Sequence, residues 1–260
     1  MSLPAASQLQ APAHWRSVDL ISDLHLQAQE PETFEAWQTY MDSTPADAVL
    51  ILGDLFEVWV GDDEVPSSPF LQVCRDVLRS ASTRLHLGIM HGNRDFLMGP
   101  AFMASCGAQL LHDPTLLRWG RHSWLLSHGD ALCIDDTDYQ KFRQQVRSPA
   151  WMTSFLAQPL AQRQAVARQL REESKAHQSS GMGFADADTA LSLSWLKSAA
   201  ASHLIHGHTH RAADHVMTEV GQGPCHRSVL SDWDLQTQPP RAQVLRLTAD
   251  GRQQRLPLVA

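Results

Sequence analysis

Residues 17–25 read SVDLISDLH, a strand-like apolar run, Val18–Ile21, that closes on Asp23 and His25. Four later stretches follow the same plan. AVLILGD (48–54) ends on Asp54, LHLGIMHGNRD (85–95) carries Asn93, WLLSHGD (124–130) carries His128, and LIHGHTH (204–210) carries His206 and His208. Each of these side chains stands just past a predicted strand. In an open α/β sheet the crevice beyond the carboxyl ends of the strands gathers residues from distant segments, so one pocket can hold the whole set.

The donor types point to a pair of divalent cations. Carboxylate, carboxamide oxygen and imidazole suit manganese, zinc or iron, whereas thiolates would suggest structural zinc or an iron–sulfur cluster. No cysteine stands in these motifs. Two cations roughly 3.5–4 Å apart need a shared ligand, and a carboxylate can bridge them. Asp54 is the best placed bridge. Taken singly, an Asp-x-His or a Gly-Asp is weak, and most of the 14 histidines serve the surface or the core. The order of five strand-end motifs is what packing needs alone do not produce.

With 260 residues the chain is long enough for one large α/β domain and its core. The four cysteines form no Cys-x-x-Cys pair, so neither a zinc knuckle nor a disulfide framework is indicated, and a reducing compartment fits. A net charge of −7 argues against nucleic acid held on a broad basic face. No stretch approaches the roughly 18 apolar residues of a membrane span, and Met1–Trp15 lacks a signal peptide's apolar segment.

Residues 1–16 read as a flexible tail, and 17–260 as a single domain. Up to about Leu132 strands alternate with amphipathic helices at Glu32–Met41 and Pro69–Leu78, as in βαβ units. Gly120-Arg121 marks a hairpin. From about 135 to 201 helical spacing dominates, which predicts an inserted helical cap. There Trp151, Phe155, Leu156, Leu160, Val166 and Leu170 serve either the core or an apolar ligand, and exposure decides between the two. Trp59, Asp62 and Asp63 read as a solvated acidic turn.

The ligand series is similar to that of the calcineurin-like metallophosphoesterase superfamily, whose pattern runs Asp-x-His, Gly-Asp, Gly-Asn-His-Asp/Glu, His and Gly-His-x-His. GNRD departs from it, with Arg94 in place of the histidine. GDLFEVWVGDD (53–63), HGNRDFLMG (91–99) and HGDALCIDDTDYQ (128–140) further resemble the UDP-2,3-diacylglucosamine diphosphatases of lipid A biosynthesis in Gram-negative bacteria. The resemblance runs from about Ser17 to Arg211.

It implies a four-layer αββα sandwich with a helical cap and two manganese ions. One ion would take Asp23, His25, Asp54 and His208; the other would share Asp54 and take Asn93, His128 and His206. Asn93 and Arg94 would be catalytic. Substrate contacts would fall on Asn93, Arg94, Asp136 and His206, and in the cap on Ser174 and Gln178. There Gly181 stands where the family has lysine, leaving Lys175, Arg168 or Arg171 as alternatives. The implied substrate is UDP-2,3-diacylglucosamine, with no nucleic acid partner and peripheral contact with the cytoplasmic face of the inner membrane. Oligomeric state is left open.

Arg94 suits a pyrophosphate. Arginine keeps its proton at neutral pH and cannot donate it to a leaving alkoxide. A phosphate leaving group, with a second pKa of about 6, departs without one. The expected reaction is attack of metal-activated water on the UMP phosphorus. A structural ion pair of Arg94 with Asp95 or Asp130 is the competing role, and Asp95 is expected to orient a ligand. The rival enzyme is a phosphodiesterase or pyrophosphatase for other nucleotides. A non-catalytic scaffold fits less well, since all seven ligands are present.

Overall fold

Strand Ala48–Leu52 (β3) has no exposed side chain on either face. Val49 and Ile51 pack with Trp37, Leu78 and Phe102, while Leu50 and Leu52 pack with Leu117, Leu126 and Ile205. A strand covered on both faces reads as a continuous apolar run, which is why β3 shows no alternation. The structure is a computed structural model that describes residues 3–179, 185–218 and 223–259, with backbone alone over 172–179. The expected contacts Ser174 and Gln178, and Gly181, lie outside the described residues and side chains.

β3 sits in the middle of a six-stranded sheet. Its parallel neighbours are β2 (Ser17–Ile21) and β4 (His86–Met90), with β5 (Gln109–Leu111) beyond β4. β11 (Gln243–Thr248) runs antiparallel to β2 and carries β12 (Gln253–Pro257) on its outer side. Helices α1 (Pro31–Ser43), α2 (Pro69–Ser82) and α3 (Pro100–Cys106) make the crossovers and cover the outer face. Proline begins each of the three, where its missing N–H costs no helical bond.

The second six-stranded sheet runs β1 (Ser7–Gln10), β6 (Thr115–Trp119), β7 (His122–Ser127), β8 (His203–His206), β10 (Cys225–Val229) and β9 (Ala213–Met217). The sheets meet through Val18, Leu20, Leu50, Leu126 and Ile205. Burying each such aliphatic side chain contributes about 1.5–3 kcal/mol. Outside the second sheet lies α7 (Thr189–Ala199), whose Leu191, Trp195 and Leu196 pack on Leu125 and Leu204. The layers are helix, sheet, sheet and helix, the expected αββα sandwich.

Two expectations change. The tail is ordered from Ser7, since β1 pairs in parallel with β6, and Leu9 and Trp15 are buried between the sheets. A four-residue edge strand with one inward apolar residue is too short to show a period. The helical insertion also divides. α4 (Thr137–Val146), α5 (Pro149–Leu156) and α6 (Leu160–Ser179) lie on the crevice side, whereas α7 is a layer of the sandwich. Helical spacing is the same in both roles, so periodicity does not separate them.

One buried charge ties the sheet to α1. Asp19 in β2 is fully buried and accepts from Arg246 Nε (2.7 Å) and Nη2 (2.8 Å), Tyr40 Oη (2.8 Å) and Thr44 Oγ1 (2.9 Å). Removing one member of such a pair leaves an uncompensated buried charge. Arg246→Met is expected to destabilise the fold by about 3 kcal/mol, read as a lower urea midpoint at unchanged slope.

Candidate metal centre

Beyond the strand ends the backbone is held in a costly shape. Asp23, His25, Asp54, His208 and His210 have φ of 55°, 49°, 52°, 66° and 53°, and among the described non-glycine residues only Ala200 joins them at positive φ. Left-handed backbone costs of order 1–3 kcal/mol at each such residue and persists only where the surroundings over-determine it. Here hydrogen bonds do so. Asp23 N–H donates to Gly53 O (3.1 Å), His25 N–H to Asp54 O (3.0 Å), and His208 N–H to the Asp23 carboxylate (2.9 Å to Oδ2). Two glycines let the loops close. A Cβ at Gly92 would stand 2.0 Å from Asp54 Oδ1, and one at Gly207 2.2 Å from Asp23 Oδ2.

The side chains converge. Ligand atoms of Asp23, Asp54 and His128 all lie within 4.8 Å of one another, as do those of Asp23, His25 and His210. Asn93 Oδ1 stands 2.9 Å from His128 Nε2 and 2.8 Å from His208 Nδ1. His128 Nδ1–H donates to Leu52 O at 2.9 Å, which leaves the lone pair of the neutral ring on Nε2, facing Asn93 Oδ1 and, at 3.8 Å, Asp54 Oδ1. His206 Nδ1–H likewise donates to Gly207 O at 2.8 Å, and its Nε2 is buried with no partner among the described residues. Imidazoles held by one nitrogen with the other unsatisfied are what metal ligands require. The residues present fit divalent cations.

The third motif works through its backbone as well. Arg94 N–H donates to Asp54 Oδ1 at 2.8 Å. Asp95, fully buried, accepts from Leu55 N (2.8 Å), Phe56 N (3.3 Å) and Gly92 N (2.8 Å), clamping the Gly-Asp loop to the Gly-Asn loop. Burial and the nearby Asp54 carboxylate push its carboxyl up to about 6. Asp130 is taken up by α4 and its C-cap, accepting from Tyr139 Oη (2.8 Å), Arg143 Nε (2.8 Å) and, just past the helix, Arg147 Nη2 (3.0 Å). The competing ion pair of Arg94 with Asp95 or Asp130 is thus not formed.

A profile of the calcineurin-like phosphoesterase family matches residues 16–212. The chain belongs to this family. Proteins named UDP-2,3-diacylglucosamine hydrolase are similar along most of their length. That of Chromohalobacter salexigens is 41% identical over 89% of this chain and 93% of its own. That of Bordetella pertussis is 40% identical over 90% and 92%, and that of Aromatoleum aromaticum 43% identical over 82% and 87%.

In this calcineurin-like phosphoesterase, a hydrolase, the donors open into a cavity of two lobes. Asn93, Arg94 and Asp136 line both, and among the described residues Arg94's side chain forms no ion pair. Asp136 also caps α4, accepting from Tyr139 N at 3.1 Å. His206 is fully buried behind the lining. In the apolar lobe Trp151, Phe155 and Leu170 are wall residues, while Leu156 and Val166 are 41% and 37% exposed. The acidic turn is structural. Asp62 accepts from Gly99 N and Phe102 N, each at 2.8 Å, holding the start of α3, and Asp63 pairs with buried Arg163 of α6.

His210 and Glu57 were not anticipated. His210 Nε2 lies 3.3 Å from His25 Nε2 and 3.6 Å from Asp23 Oδ1, and Glu57 Oε2 lies 3.1 Å from His25 Nδ1. The signal for His210 was its place in the HGHTH alternation. These charges set the protonation of the donors. Burial would raise Asp23, but His210, His128 and His25 hold it well below the usual carboxylate range. Burial lowers His206 and His208 to about 4. Against burial, Glu57 and Asp54 raise His25, and Asp54 and Asp130 raise His128, above the ordinary 6.5.

A protonated imidazole cannot ligate. Cation affinity is therefore expected to be highest at alkaline pH and to fall as His25 and His128 take up protons, while His206 and His208 stay neutral down to about 4. Calorimetric titration with Mn2+ from about pH 8 to about pH 6 checks it; a flat affinity would remove His25 and His128 from the donor set.

Proposed function

We propose that this chain hydrolyses the pyrophosphate bond of UDP-2,3-diacylglucosamine to UMP and 2,3-diacylglucosamine 1-phosphate, in lipid A biosynthesis, with two manganese ions. The observation that carries the reading is an apolar lobe of ≈ 450 Å³ joined to the donor cluster through Asn93, Arg94 and Asp136. Acyl chains need such a chamber, and a small nucleotide diester does not. The names of the similar proteins support the same substrate.

Asp23, His25, Asp54 and His208 would hold one cation, and Asn93, His128 and His206 with the shared Asp54 the other. Bound there, divalent cations supply Lewis acidity and lower the pKa of water. Arg94, lining both lobes, meets the diphosphate where they join and offsets the charge that gathers on the departing lipid phosphate. A guanidinium is no general acid, and this leaving group needs none. Attack falls on the UMP phosphorus. Among the described residues no helix is long and apolar enough to cross a membrane. Exposed Phe142, Leu156 and Val166 on the helices around the apolar lobe support peripheral contact with the cytoplasmic face of the inner membrane.

Hydrolysis in oxygen-18 water is expected to place the label in UMP, seen as a shifted phosphorus resonance; label in the sugar phosphate would reverse the assignment of the attacked atom. Arg94→Lys keeps the charge but loses the planar fork. It is expected to lower turnover about 10²–10³-fold with metal content unchanged, and wild-type turnover would remove Arg94 from the reaction.

A further inference from the structure

The lobes differ in chemistry, and the difference orients the substrate. Val58, Phe96, Trp151, Phe155 and Leu170 wall the apolar lobe. The other lobe, ≈ 350 Å³, continues past His25 and His210 to Gln27, Glu30, Trp233, Asp234 and Arg241. It is polar but offers little for an anion. Arg241 is engaged by Asp232 at 2.8 Å and Asp234 at 3.3 Å, so its charge is already balanced, and Glu30 adds a further carboxylate. A second phosphate is repelled there, and an acyl chain would strip water from these groups without replacing it.

What suits the lobe is an uncharged group with both donors and acceptors. Glu30 precedes α1 without using its side chain to cap it, and among the described residues that side chain is met by Gln27, whose Nε2 donates to Glu30 Oε1 at 2.6 Å. The Gln27 amide has a second N–H to give, and Glu30 has further lone pairs to accept with. Trp233 lines the same lobe, is 2% exposed, and its indole N–H finds no acceptor among the described residues.

On the reading of the reaction given above, we propose that this lobe is the nucleoside subsite: ribose hydroxyls donate to Glu30, and base carbonyls accept from Gln27. The diphosphate then spans the donor cluster, with the diacyl sugar in the apolar lobe. The reverse orientation would set the ribose and base against the apolar wall of Val58, Phe96, Trp151, Phe155 and Leu170, and the acyl chains among Gln27, Glu30, Asp234 and Arg241, which would desolvate polar groups at both ends.

The test is calorimetric titration of the manganese-loaded protein with UMP and, separately, with short-chain 2,3-diacylglucosamine 1-phosphate, wild type against Gln27→Ala/Glu30→Ala. The double variant is expected to weaken UMP binding about tenfold and to leave lipid-product binding and the melting temperature unchanged. Trp151→Ala is expected to do the converse, weakening the lipid product alone. Unchanged UMP affinity in the double variant, or equal weakening of both ligands, overturns the subsite. A wild-type preparation that cleaves no UDP-2,3-diacylglucosamine, assayed in parallel, overturns the reading of the reaction and the subsite with it.

Discussion

Electron-pair donors of one kind crowd a single buried crevice. Asp23 and Asp54 are buried beside His128, with Asn93 Oδ1 drawn to within 3 Å of two imidazoles. Like partial charges gathered out of water are unfavourable unless positive charge stands among them. The sandwich is arranged around that demand. Two sheets bring five strand ends to one edge, glycines let the carboxylates approach, and left-handed backbone aims five ligand-type side chains inward.

The same demand explains the second ring of contacts. Asp95 spends both oxygens on three backbone N–H groups, so its charge holds loops together while Asp54 stays available. Asp130 gathers two donors from α4 and a third from Arg147, which caps that helix and also donates to Gly92 O at 2.9 Å. The helix that walls the apolar lobe is thereby tied to the loop that carries Asn93. Tyr139 of the same helix stacks on His208 with ring centroids 5.8 Å apart.

The parts legible in the sequence were those where a motif abuts a periodic run. Asp23, Asp54, Asn93 and His128 each follow a strand that its own apolar residues announce, and the alternation of such strands with helices predicts βαβ units, whereas the four-layer αββα arrangement is what the family resemblance implies. β1 was not legible because Ser7–Gln10 offers one apolar residue, and its partner lies over a hundred positions away. α7 and the crevice helices share one spacing and differ only in what they pack against. Asp232, Trp233 and Arg241 come from a loop without a period, and it is the bond from Trp233 N–H to Asp23 O, 3.0 Å, that fastens this loop to the site. Nothing local records that contact.

The parallel pairing of β1 with β6 has a bearing on biogenesis. Ser7 Oγ meets Thr115 Oγ1 at 2.7 Å, a separation of 108 residues. During synthesis β1 leaves the ribosome well before its partner and must wait, unpaired, until the β6–β7 hairpin emerges, and closing so long a loop is slow. Until then its Gln-Leu-Gln stretch is an open edge, kept harmless by brevity and polarity.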